Sequence, residues 1–119
     1  MAKEIKNSFR SSSIIHVIGA GTETVTLADL AKVTTETTET VNSAQIKRVM
    51  WSSNGSITIS RDATKVAELY GSGDMRFSDY GYAVDLGATS NVVVTIVSGG
   101  TAILEVTKDS VFNPSLDNL

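Results

Sequence analysis

Apolar and polar positions along this chain alternate in short stretches, with a period of two rather than 3.6. Residues 14–18 (Ile-Ile-His-Val-Ile) form an apolar run that reaches Gly19-Ala20-Gly21, which reads as a buried strand ending in a turn. Beyond it, Thr22, Thr24 and Thr26 fall on one face of an extended segment, and Glu23, Val25 and Leu27 on the other. Ala28-Asp29-Leu30-Ala31 is the one place that suits a helical turn. Residues 34–40 contain no apolar side chain and read as a loop rather than an exposed edge strand. Next, Ile46, Arg48 and Met50 alternate with Lys47, Val49 and Trp51, and Asn54-Gly55 follows. An Asn-Gly pair tolerates positive φ at both central turn positions, so it predicts a two-residue hairpin whose return strand starts at Ile57-Thr58-Ile59. Arg61-Asp62-Ala63-Thr64 predicts a second turn and residues 65–70 a third strand, which makes a meander over 45–70. Gly71-Ser72-Gly73-Asp74 breaks that strand before a brief one at Met75-Arg76-Phe77. Residues 91–97 and 102–107 form a second hairpin across Ser98-Gly99-Gly100, apolar at nearly every position. Such strands belong at the centre of a sheet, covered on both sides.

The pattern predicts an all-β fold: an antiparallel β-sandwich or small barrel of seven to eight short strands. Composition agrees, with 13 Val, 9 Ile and 14 Thr against 7 Leu, because branching at Cβ suits a pleated sheet better than a helix. At 119 residues the chain is long enough for one domain with a core that needs no staples. The domain is expected at 14–109, between an N-terminal arm (1–13) and a C-terminal tail (110–119) holding the only Pro. The arm carries Lys3, Lys6 and Arg10 among Asn and Ser, with only Ile5 and Phe9 apolar. By itself it buries too little to offset its ordering entropy. It either frays or docks on a neighbouring subunit, with Phe9 and Arg10 as anchors.

Chemistry is mostly excluded. No Cys means no disulfide framework, thiolate metal site or Cys nucleophile, and one His leaves no multi-His cage. No cofactor is expected. A net charge of −3 argues against a general nucleic-acid binder, and no apolar run is long enough to cross a bilayer. The first residues lack the apolar stretch of a secretion signal. His16 is the only candidate general base of the usual kind, flanked by Ile15 and Val17. With 15 Ser and 14 Thr in the chain, a hydroxyl near it is expected by chance. The two Gly-rich segments lack the downstream helix that would hold a phosphate. Asp74, Asp79 and Asp85 have no EF-hand spacing, so turn chemistry accounts for them better than Ca²⁺ does. The chain is therefore read as a non-enzyme.

Trp51, Phe77, Tyr80 and Tyr82 close the core and rim of one sheet or, joined by Arg48 and Arg76, form a patch against a partner. The candidate partner-interface residues are Phe9, Arg10, Arg48, Arg76, Tyr80 and Tyr82. The segments Ile46-Lys47-Arg48-Val49-Met50-Trp51-Ser52-Ser53, Leu69-Tyr70-Gly71-Ser72-Gly73-Asp74 and Phe77-Ser78-Asp79-Tyr80-Gly81-Tyr82 resemble small virion structural proteins of tailed bacteriophages, those of cyanophages in particular. Ile18-Gly19-Ala20-Gly21-Thr22 looks similar too, and together the match covers about half of the chain. The resemblance implies a β-rich protein of the assembled particle, one that decorates or cements the head shell by binding the major capsid protein or other virion proteins. A homo-oligomer is compatible with it. The competing reading is a tail or collar component that recognises host-surface sugar through Trp51, Tyr80 and Tyr82.

Overall fold

The structure is a computed structural model that describes residues 1–8, 12–33, 37–76 and 89–114. Five strands follow in order: β1 (Ala2–Ser8), β2 (Ser12–Val25), β3 (Thr37–Arg61), β4 (Thr64–Arg76) and β5 (Val92–Pro114). They make one open antiparallel sheet in the order β1-β2-β5-β3-β4. A 3-10 turn, Ala28–Leu30, sits between β2 and β3 where the sequence predicts a helical turn. It is closed reciprocally: the Asp29 amide donates to Thr26 Oγ1 at 3.2 Å, and the Thr26 amide to Asp29 Oδ2 at 3.0 Å.

The all-β, antiparallel expectation is met, but the described residues form five long strands rather than seven to eight short ones. Four long strands were each divided in the sequence at a Gly-rich point. Asn54-Gly55 is not a hairpin; β3 runs straight through it, with Ser53 opposite Gly100 and Ile57 opposite Ile96 on β5. Ser98-Gly99-Gly100 likewise lies inside β5, Gly71-Ser72-Gly73 inside β4, and Gly19-Ala20-Gly21 inside β2. The Arg61–Thr64 reversal is a true turn, with Arg61 paired to Thr64 and Asp62 at φ 51°.

These four points are neighbours. Gly19 pairs with Gly100, Gly100 with Ser53, and Ser52 with Ser72, so a single line of small residues crosses the sheet. The ladder slips there, between Gly19 and Gly21 and between Ser52 and Ser56. Glycine permits a bulge or sharp bend as readily as a turn. Here it bends the strands. A straight β3 would run about 80 Å, whereas the whole molecule is 52 Å in its longest dimension. Arg61 confirms the direction of bending: its Nη1 donates to the carbonyl of Ala44 at 2.9 Å, although 17 residues of the same strand separate them. The sheet is folded over on its inner face.

That face is the core. Period-two series from both sides of the bend supply it: Ile57 and Ile59 on β3, Val92, Val94 and Ile96 on β5, then Ala102, Leu104 and Val106 further along β5. Ile15 and Val17 of β2 face Leu104 and Ala102, and all four are fully buried. β5 is central as expected, yet only its inner positions are buried; Val93 and Ile103 on the outer face are half-exposed.

Several boundaries move. Residues 2–8, expected within an arm, are an edge strand whose Ile5 lies opposite Ile15 and packs on the core. Backbone pairing to β2 offsets the ordering cost that the segment could not meet alone. The Lys3 ammonium adds a hydrogen bond to the Thr24 carbonyl at 2.8 Å, and Asn7 Nδ2 donates to the carbonyls of Asp29 and Ala31. At the other end β5 continues to Pro114, where Thr37 to Val41 pair with Pro114 to Ser110. Residues 37–40 are therefore strand rather than loop.

Candidate functional site

The described candidates Arg48 and Arg76 are brought together, as Cα partners on β3 and β4. Phe9, Arg10, Tyr80 and Tyr82 lie outside the described residues, as do Asp79 and Asp85. Arg48 grips Asp74 on the neighbouring strand with both arms of the guanidinium: Nε to Oδ1 at 2.8 Å, and Nη2 to Oδ2. Its Nη1 reaches Glu105 Oε2 on the other side at 3.4 Å. The fork geometry of arginine suits a bidentate carboxylate pair. Arg48 holds the Asp74 carboxyl below its ordinary value, and Asp74 in turn raises the guanidinium. Asp74, considered above as a metal or turn residue, is thus a partner of Arg48. Among the described residues no cluster of three His, Asp or Glu is placed to hold a metal ion.

Trp51 is half-buried on the inner face, with its ring against Gly73, and donates its indole N–H to the Tyr70 carbonyl at 3.1 Å. A Cβ on Gly73 would stand 2.7 Å from the indole ring, so the glycine is what lets the ring lie down. Tyr70 itself is exposed, and its hydroxyl donates to Glu68 Oε1 at 2.9 Å. The neighbouring Lys65 ammonium, and after it the Tyr70 hydroxyl, draw the Glu68 carboxyl down; Glu68 pushes the Tyr70 phenol up.

His16 lies on the outer face, between Glu4 of β1 and Ile103 of β5 in register. The shallow groove there, about 240 Å³, is lined by Glu4, Lys6, Ile14, His16 and Ile103. Among the described residues the groove brings a carboxylate to the imidazole but no Ser or Thr that could act as its nucleophile.

The charges that sequence reading missed are inside. Lys108 and Glu39 form a fully buried ion pair, Nζ to Oε1 at 2.8 Å. Lys108 also donates to the Leu30 carbonyl at 2.9 Å, and Glu39 Oε1 accepts the Lys32 amide at 2.8 Å. Burial is the largest single influence on Glu39 and raises its carboxyl, but Lys108, the Lys32 amide and Ser110 together outweigh it and hold it below its ordinary value. Arg61 is buried as well, donating to the carbonyls of Ala44 and Ser90. The signal was present: Lys108 continues the series Ala102, Leu104, Val106, and Arg61 continues Ile57, Ile59. Extending the period by one step places both side chains inward. The chain matches no family model, no curated protein and no solved structure.

Proposed function

We propose that this chain is a virion structural protein of a tailed bacteriophage, a decoration or cement protein that binds the major capsid protein on the outer head shell. The reading starts from the resemblance of the segments around Trp51, Gly71 and Tyr80 given above. The observation that carries it is how the sheet spends its chemistry. Arg48 with Asp74, and Lys108 with Glu39, are engaged with each other, and the groove at His16 offers no hydroxyl among the described residues. What the molecule presents is strand surface, suited to adhesion on a lattice, where local concentration raises occupancy without new contacts. The alternative, sugar recognition in a tail or collar, calls for an open aromatic platform. The indole of Trp51 is instead half-buried and tied to Tyr70, which favours the shell.

Quantitative mass spectrometry of purified particles carrying the chain tests this. A decoration protein appears in proportion to the capsid subunits. Copies numbering only those of one vertex would assign the chain to the neck or tail and overturn the reading.

A further inference from the structure

The outer face of the folded sheet has two different halves. Beyond the bend it is mostly hydroxyl, with Thr22, Thr95 and Thr58 aligned across three strands and Thr22 and Thr95 in contact at 3.1 Å. On the β1 side of the bend it is apolar at the centre: Ile14 is 37% and Ile18 48% exposed, with Ile103 and Met50 half-exposed beside them. Charges surround this centre in two adjacent rows set by the register. One row runs from Glu4 on β1 through His16, Ile103 and Met50 to Asp74 on β4; the next runs from Lys6 through Ile14, Glu105 and Arg48 to Arg76. Three acids and three bases balance within the patch, although the chain as a whole carries −3. An exposed apolar centre with a neutral, charged rim is the make-up of an interface, and the least repulsive partner it can meet is itself.

We infer that this patch is where two copies of the chain pair face to face, about a two-fold axis lying across the strands between the two rows. The charges choose that axis. With the axis across the strands, the Glu4 row of one copy covers the Lys6 row of the other. Glu4 then meets Lys6 and Asp74 meets Arg76, each contact occurring twice by symmetry. The alternative axis, along the strands, would set Glu4 against Asp74 and Lys6 against Arg76, like against like. At the centre the chosen axis stacks Ile14 on His16, Ile103 on the stem of Glu105 and Met50 on the stem of Arg48, the heads of Glu105 and Arg48 staying paired with each other. This inference does not depend on the virion reading.

Sedimentation equilibrium of the full chain tests it, with circular dichroism to confirm that each variant keeps its sheet. The wild type is expected to form a reversible dimer with a dissociation constant on the order of micromolar. Ile14→Asp and Ile18→Asp, both at exposed positions, should each weaken it about tenfold or more, by burying an unpaired charge. Lys6→Glu should weaken it comparably by opposing like charges twice, and adding Glu4→Lys should bring it back to near the wild-type value. A wild type that stays monomeric to roughly millimolar concentration overturns the inference. So does a dimer indifferent to Ile14→Asp, or a loss in Lys6→Glu that the double reversal does not recover.

Discussion

Lys108 arrives on the inner face because the strand's alternation leaves it nowhere else to point, and its charge is tolerated there because Glu39 and the Leu30 carbonyl receive it. Glu39 in turn accepts the Lys32 amide and donates its own amide to the Lys32 carbonyl at 3.0 Å. The pair thus fastens the connector after β2 onto the paired ends of β3 and β5. Removing one partner of a buried pair strands the other. Lys108→Met should therefore cost about 3–5 kcal/mol in urea denaturation, and combining it with Glu39→Leu should return much of that loss. The same carboxylate makes the fold acid-sensitive. Its folded-state pKa is below the ordinary value of 4.5, so its contribution is complete above that pH and is lost as pH falls through the depressed value. The unfolding free energy is expected to drop below pH 4.5, and Glu39→Gln to flatten that limb of the profile. An unchanged slope in the variant would mean that other carboxylates carry it.

At the scale of the strands, the decisive feature is the line of glycines. Gly100 opposes Ser53 so closely that a Cβ would stand 2.6 Å from the Ser52 carbonyl oxygen, and one on Gly55 would stand 2.7 Å from that of Val97. Backbone atoms cannot swing aside as a flexible side chain can. Gly100→Ala is expected to destabilise by about 1–3 kcal/mol, measured by thermal or urea unfolding. This line also explains what was legible in the sequence. Period-two burial is a local property, so Ile57 and Ile59, or Leu104 and Val106, could be assigned to one face without knowing their neighbours. Whether Gly99 reverses the chain or only bends it depends on what lies across from it, and that partner, Gly19 by way of Gly100, is some 80 residues away. The candidate site followed the same rule. Arg48 and Arg76 were recognisable as residue types, but their juxtaposition with Asp74 needed the β3–β4 register. β1 was illegible for a related reason, since its stability comes from pairing rather than composition. Ile5→Ala should cost about 1–2 kcal/mol, as for a partly buried side chain; no cost would return the segment to a free arm.

For the molecule as a whole, folding one sheet over itself makes the two layers inseparable. In a sandwich of two sheets the layers can in principle loosen independently, whereas here β2, β3, β4 and β5 each pass through the bend and belong to both sides. Ile57 and Leu104 sit on opposite sides of the glycine line, yet they share strands and a continuous core. Truncating either to Ala should cost about 2–5 kcal/mol and shift one common transition, with fluorescence of Trp51 and circular dichroism reporting the same midpoint. Separate midpoints would mean that the bend is a hinge between independent units. The same connectivity bears on rate. β5 pairs with β2, more than 75 residues earlier at Gly19–Gly100, and its end pairs with the start of β3 through Thr37–Pro114. Little of the core can form until such distant segments meet, and the loop-closure entropy must be met before their contacts contribute. Refolding in the range of milliseconds to seconds is therefore expected by stopped-flow fluorescence. Gly100→Ala should slow it to the extent that the bend is already made in the transition state, because the strands cannot reach their partners across the fold until the sheet has turned on that line.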